Sequence, residues 1–424
     1  MSDETIFSKN FILVVIGRIV SAFGNQILRY ALPLYLLSQT GSSALFGTIL
    51  AISFLPMILF FPVGGIIADR MNKRNIMLVL DFCTALLISL FCLLSGNVAA
   101  VPLITVTMIV LYGIDGMDRP AVKASIPALV NTNYIMTANS ILDTIDSSAG
   151  MAGPVAGGLL FSIFGLMPVL HLSIVCFFAS VIMDIFIYIP FEKRAATGNI
   201  ITISIRDLKD SFHFMMKEQP VLRNISFVFA VSNLLLTSLI LIGLPVIVTQ
   251  HLGFAPDTAG RLYGYAQGVT AAGAILGGLL AGTLSDRLTP GTGPLLLMGC
   301  SFSMIISGIA LQVLHVPMAI YVILILCCGL LLTLHTLFQI QVMTYLQRLT
   351  PSHFIGKVIS CFMCVVMCTI PLGQFLYGIV FEHSGRHIYL PFYIAGLAML
   401  GISLLAYSVF SQHRLRNIVA SDCE

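Results

Sequence analysis

Arg18, Asn25 and Arg29 stand seven and four residues apart in a stretch, Phe11 to Leu37, whose only charges are the two arginines. At about 100° per residue all three fall within roughly 40° of one another, so a helix here carries one polar seam on an apolar body. Other apolar stretches carry acids: Asp81, Asp115, Asp118 beside Arg119, Asp143, Asp146 and Asp184. Asn139, Asp143, Asp146, Gly150, Gly153 and Gly157 make a comparable stripe. A charge at the centre of a hydrocarbon layer costs at least ~2.5 kcal/mol unless it is paired or wetted. Acids and guanidinium groups at similar depth on neighbouring helices therefore point to ion pairs that exchange partners as protons come and go. Burial favours the neutral acid and a nearby guanidinium favours the carboxylate, so occupancy can switch near neutral pH. Asp143 or Asp146 is expected to carry the coupling proton, with Arg29 or Arg18 as charge partner and Asp115 as a further member. A permanent structural salt bridge accounts for the same residues. The second half offers His335, with Gln339 one turn on, and neutral groups such as Asn233, Gln267, Gln341 and Gln374.

The elements that position these groups follow from composition. Of 424 residues, 58% are hydrophobic and 9% charged. An ordinary globular surface uses roughly 25% charged residues, so such a chain belongs in a bilayer. A net charge of +3, spread along the chain, excludes a basic nucleic-acid face. The ten cysteines read as small apolar packers, not as a disulfide frame. Cys361, Cys364 and Cys368 mimic metal spacing along one helical face but lack a fourth ligand, so no metal is expected. The first apolar run is too long and too charged for a secretory signal and reads as a retained span. Runs of about 20 apolar residues bounded by Gly, Pro, Asn or charge predict twelve spans. They lie near 11–38, 43–68, 75–95, 101–125, 135–163, 167–190, 223–250, 259–284, 292–314, 317–346, 356–381 and 388–411. With both termini in the cytoplasm, 17 Lys and Arg residues fall on that side and only Arg261 and Arg386 opposite. That asymmetry fits the positive-inside rule, and losing one span would scramble it. The expected organisation is a bundle over 1–190, a cytoplasmic linker over 191–222 with an amphipathic helix, and a bundle over 223–424. Asn224-Ile-Ser226 then lies inside the cell, away from glycosylation, and Gly356-Lys357-Val358 lacks the rest of a nucleotide-binding loop. An ion gradient is the expected energy source, with no cofactor.

The chain also repeats itself. Gly65-Ile-Ile-Ala-Asp69-Arg70 and Gly282-Thr-Leu-Ser-Asp286-Arg287 lie 217 residues apart, and Gly153, Gly158 and Gly165 recur 220 later as Gly373, Gly378 and Gly385. Two markers at nearly one offset imply two six-helix halves in the same orientation. On these residues the chain resembles the major facilitator superfamily. Gly65-x-x-x-Asp69-Arg70-x-x-Lys73-Arg74 resembles its loop signature between helices two and three, with Asn72 where glycine is usual. Gly153-Pro154-x-x-Gly157-Gly158 resembles the helix-five signature of its exporters, with Ala149 replacing one upstream glycine. Ala138-Asn139-Ser140 and the whole pattern are similar to the branch of macrolide efflux proteins and the enterobactin exporter.

The resemblance implies an all-α membrane protein of twelve transmembrane helices in two pseudo-symmetric six-helix bundles. It implies that Asp69 faces the start of helix eleven while the basic residues of the loop reach an acid at the inner end of helix four, here Asp118. Such contacts would latch the cytoplasmic side, with Asp286-Arg287 as a weaker counterpart; topogenic basic residues alone would leave the same sequence. It implies a helix-five seam against helix eight, with Gly273, Gly277, Gly278 and Gly282 as partners, although packing alone also explains such glycines. A cavity lined by helices one, four, seven and ten would present Asn25, Arg29, Tyr30, Tyr112, Asp115, Asn233, Thr237, His335 and Gln339 among Met, Phe and Leu. Apolar walls with few polar anchors suit amphipathic organic molecules. The expected activity is proton-antiport export of drug-like or siderophore-like compounds by a non-enzymatic monomer in the cytoplasmic membrane. An importer or facilitator on the same fold, or a non-transporting membrane sensor, are the alternatives.

Overall fold

The computed structural model describes residues 8–131, 134–189, 220–284, 288, 291–350 and 355–421. Among them are twelve helices long and apolar enough to cross a membrane. They are α1 (Lys9–Thr40), α2 (Ser43–Arg70), α3 (Lys73–Leu94), α4 (Ala100–Leu129), α5 (Ile135–Phe164) and α6 (Leu166–Phe186). Then come α7 (Pro220–Val246), which continues through a π-helical turn at Ile247–His251, α8 (Pro256–Thr283), α9 (Thr292–Val313), α10 (Pro317–Leu349), α11 (Ile355–Ser384) and α12 (Leu390–Ser421). All ends lie close to the expected spans except that of α12, which runs on to Ser421 because no Gly or Pro follows Gly401 to stop it. The linker expected over 191–222, with its amphipathic helix, lies outside the described residues apart from the first turn of α7.

Local chemistry sets the helix ends. The Ser8 and Ser42 hydroxyls accept the backbone N–H of Phe11 and Leu45 at the starts of α1 and α2. Asn72 occupies the glycine position of the loop signature for a similar reason: its side-chain oxygen accepts Arg74 N at 3.0 Å and caps α3. Gly41, at φ 64°, closes α1 in the left-handed region and donates to Leu37 O.

Two compact units result. One contains α1–α6 and residues 255–268 of α8; the other contains α7, the remainder of α8 and α9–α12. In the first unit, Phe11, Val14, Met77, Val122, Ile126, Leu129, Ala138 and Leu142 form an apolar plug from four helices. In the second, hydroxyls stitch helices to foreign carbonyls: Ser301 Oγ to Gly396 O at 2.6 Å, Ser303 Oγ to Cys327 O at 2.7 Å and Ser403 Oγ to Pro294 O at 2.7 Å. Large apolar side chains such as Leu59, Leu93 and Phe186 are left exposed, as lipid-facing positions require.

The glycines of α5 divide between two neighbours. Gly153 and Gly157 admit Gln26, Ile27 and Tyr30 of α1, while Gly158 lies against Gly260 and Gly264 on the part of α8 in the same unit. The expected α8 partners are corrected accordingly. Gly273 and Gly277 pack on Gly329 and Thr333 of α10, and Gly278 and Gly282 face open space. A methyl on Gly158 would sit 2.9 Å from Gly264 Cα and 3.2 Å from Gly260 O, main-chain atoms that cannot swing aside. Gly158→Ala is therefore expected to destabilise by ~1–3 kcal/mol, read as a lower melting temperature of the purified protein. Gly278→Ala meets nothing within 4 Å and should lose no stability. Equal melting temperatures for the two variants would refute this packing.

Candidate functional site

Five helices of the first unit converge on charge. Arg18 on α1 is held by two acids: Nε and Nη2 donate to the two carboxylate oxygens of Asp146 on α5 at 2.8 and 2.9 Å, and Nη1 donates to Asp118 Oδ2 on α4 at 2.6 Å. The guanidinium side chain is only 9% exposed. At ~1.5 Å per residue from their inner ends, Arg18, Asp118 and Asp146 all lie ~14–16 Å deep, which is why the three meet. The fork geometry of a guanidinium lets one cation clamp two helices at once, which a lysine cannot do.

A second cluster sits one turn outward. Arg29 Nη1 donates to Asp115 Oδ2 at 2.9 Å, and Arg119, four residues on, donates to the same oxygen at 3.1 Å. The Arg29 guanidinium carbon rests 3.8 Å from the Tyr112 ring centroid, a cation–π contact that shields it from the apolar wall. Both clusters, with Asn25, Gln26 and Asp81, border one polar cleft of about 30 Å³. That is room enough for water, so the cleft can wet these charges and pass protons.

Of the residues expected to pair, the structure joins Arg18 with Asp146 and Arg29 with Asp115. Asp143 is corrected: it bonds Lys123 at 3.0 Å with both side chains 57% exposed, because it lies about 60° around α5 from Asp146. Asp118 is held by Arg18. Arg74 instead donates to the carbonyls of Asp184 and Ile185 at the end of α6. Lys73 is half-buried at the head of α3. The side chains of Asp69 and Arg70 and the position of Gly65 within the packing are outside the described set, as are Asp286 and Arg287. Tyr30 leaves the cleft: it stacks on Tyr263 at 5.0 Å and closes against Gly157 and Gly158, with Pro154 on the same helix.

In the second unit Asn233 and His335 are buried, Thr237 is half-buried and Gln339 is exposed. His335 stacks on Phe229, and neither its Nε2 nor Asn233 Oδ1 finds a hydrogen-bond partner. Asn25 Oδ1 in the first unit is in the same position. Gln26, Asp81 and Arg119 join the cleft without having been assigned a role from sequence. Asp81 and Arg119 were detectable as intramembrane charges, whereas Gln26 has no signal beyond its place beside Asn25.

The family model described as Major Facilitator Superfamily matches residues 14–373, most of the chain. The chain belongs to the Major Facilitator Superfamily. As a member it is a multi-pass membrane transporter of small molecules and not an enzyme. It is 24% identical to the MFS-type transporter YfiS of Bacillus subtilis, over 94% of this chain and 92% of that protein. It is 22% identical to macrolide efflux protein A of Streptococcus pyogenes, over 93% and 94%. Among solved structures, a bacterial homologue of the iron transporter ferroportin superposes with TM-score 0.72 at 15% identity, covering 94% of this chain and 99% of that one. At that identity the likeness shows the fold alone.

The transporter's triad makes a stability prediction. Removing the cation from two half-buried acids is expected to cost more than ~1 kcal/mol, and at most ~3–5 kcal/mol, in Arg18→Met. Adding Asp118→Asn and Asp146→Asn should restore most of that loss. Lys123→Met, which breaks the exposed pair, should cost under ~1 kcal/mol. Chemical unfolding in detergent reads all three variants, and an Arg18→Met protein as stable as the wild type would contradict the clamp.

Proposed function

We propose that this transporter exports amphipathic organic compounds, drug-like or siderophore-like, by proton antiport with alternating access. The observation that carries the reading is the Arg18 clamp. One guanidinium serves two carboxylates on different helices, so the triad bears one excess negative charge, and a single proton neutralises it. A proton on Asp146 removes one of the acceptors that Arg18 grips and leaves the guanidinium to Asp118, loosening α1 from α5 where Gly153 and Gly157 already let them slide closely. Loss of the proton restores the two-helix grip. A water-sized cleft beside the triad supports proton access, and the efflux activity named for the Streptococcus pyogenes relative supports the direction and the amphipathic substrate. Asn25, Arg29, Tyr112 and Asp115 would present the polar anchors of the first half, and Asn233, Thr237, His335 and Gln339 those of the second.

The bundles over 1–190 and 223–424, joined through 191–222, would act as one monomer in the cytoplasmic membrane with both termini inside. Basic residues of the Asp69–Arg74 segment keep that loop on the inner side, where Arg74 already tethers α3 to the end of α6.

Everted membrane vesicles supplied from outside with a panel of fluorescent amphipathic compounds test this reading. Uptake driven by an imposed pH gradient should collapse with an uncoupler and fall at least about tenfold, the equivalent of ~1.4 kcal/mol, in Asp146→Asn. Asp143→Asn should stay near the wild-type rate. Transport that survives both the uncoupler and Asp146→Asn would overturn proton antiport.

A further inference from the structure

Beside the Arg18 triad, two acids on α3 and α6 are left without a cation. Arg74, Met77, Asp81 and Thr84 line one face of α3, and Phe177, Ser180 and Asp184 line one face of α6, running in the opposite direction. Asp81, Thr84 and Phe177 border the polar cleft, and Ser180 and Asp184 continue from it towards the inner end of α6. Ser180 donates to Gly17 O of α1 at 3.3 Å and stands within reach of Asp81. Asp184 is 2% exposed, its Oδ1 lies beside Gly17, and its Oδ2 has no hydrogen-bond partner. Arg74, the cation that acts on Asp184, spends its Nε and Nη2 on the main-chain carbonyls of Asp184 and Ile185.

Charge counting sharpens the point. Asp81, Asp115, Asp118, Asp146 and Asp184 interact as one electrostatic cluster with Arg18, Arg29 and Arg119, and every one of those three arginines is already committed to Asp115, Asp118 or Asp146. Among the described residues, the carboxyl groups on α3 and α6 are the two of this cluster that form no ion pair, Arg74 acting on Asp184 only through space. Burying a lone carboxylate is so costly that a group in this position takes up a proton or a cation. A metal ion needs a shell of several oxygens, whereas Asp184 Oδ2 has no polar atom in hydrogen-bonding range. A proton needs only that one oxygen.

We propose that Asp81 and Asp184 form a second proton-binding site, on the facing stripes of α3 and α6 and separate from the Arg18 clamp. The groups that face it are Arg18 from α1, Arg74 from α3, Asp118 from α4 and Asp146 from α5. Ser180, one turn before Asp184 on α6, stands beside Asp81, and Asp81 connects the site to the cleft. Protons on the pair belong to both acids jointly. The site deepens the antiport reading: it provides a reservoir that reloads Asp146 or Asp118 from the inner side, so more than one proton is held per transporter.

The test is infrared difference spectroscopy of the full-length protein reconstituted in lipid, following the carbonyl stretch of protonated carboxyl groups. Wild-type protein should show this band at neutral pH, and Asp184→Asn should remove at least about half of it. Asp81→Asn, at a less buried position, is the second variant should Asp184→Asn fold poorly, and it should shift or weaken the same band. Asp143→Asn should leave it unchanged. A band identical to the wild type in both Asp184→Asn and Asp81→Asn overturns the site. So does a wild-type band abolished at constant pH when choline is replaced by sodium, which would make the occupant an alkali cation. Because the readout needs no substrate, it can fail while pH-driven export holds, or hold while pH-driven export fails.

Discussion

In hydrocarbon a charge survives only beside its opposite, and the first unit is organised around that constraint. Arg18 could not be buried to 9% exposure without the acids that α4 and α5 bring to it, and neither acid could be buried there without Arg18. Helix packing and charge pairing thus fix each other. Gly17, Gly153 and Gly157 let α1 approach α5 and α6 closely enough for guanidinium and carboxylate to meet at hydrogen-bonding distance. Paired charges then make that approach the favourable one, since pulling the helices apart would strand three ions in lipid.

The described residues of the second unit are held together differently. Its helices are tied by Ser301, Ser303 and Ser403 to carbonyls of neighbouring helices and by small residues at Gly273, Gly277 and Gly329. Hydroxyl-to-carbonyl contacts of this kind do not change with protonation, whereas a guanidinium shared by two carboxylates does. The buried amide of Asn233 and imidazole of His335, with atoms left unpartnered, are the second unit's nearest approach to reactive polarity.

Much of this was legible in the sequence for definite physical reasons. Spans emerge because apolar length, caps such as Ser8, Ser42 and Asn72, and breakers such as Gly41 are local signals. The seam of α1 emerges because helical periodicity is local too. Pairing is not local. Asp143 and Asp146 share a stripe about 60° wide, and only the angle at which α5 meets α1 decides that Asp146 turns inward and Asp143 outward to Lys123. Likewise α8 carries small residues in two stretches, Gly260–Gly268 and Gly273–Gly282, and nothing in their spacing says which stretch meets α5 and which meets α10.

The arrangement of donors in the clamp also explains why an arginine, and not a lysine, stands at position 18. Three of the five guanidinium N–H groups are used, two in a parallel fork on Asp146 and one on Asp118. A fork is lost as a unit when its carboxylate is neutralised, because the second oxygen then carries a hydrogen and faces a donor where it had faced an acceptor's lone pair. The single bond to Asp118 survives that event. A proton arriving at Asp146 therefore leaves the cation on a known helix, still charged and still paired. An ammonium group, a point charge with no fixed fork, would drift between the two acids and transmit the protonation of either one weakly.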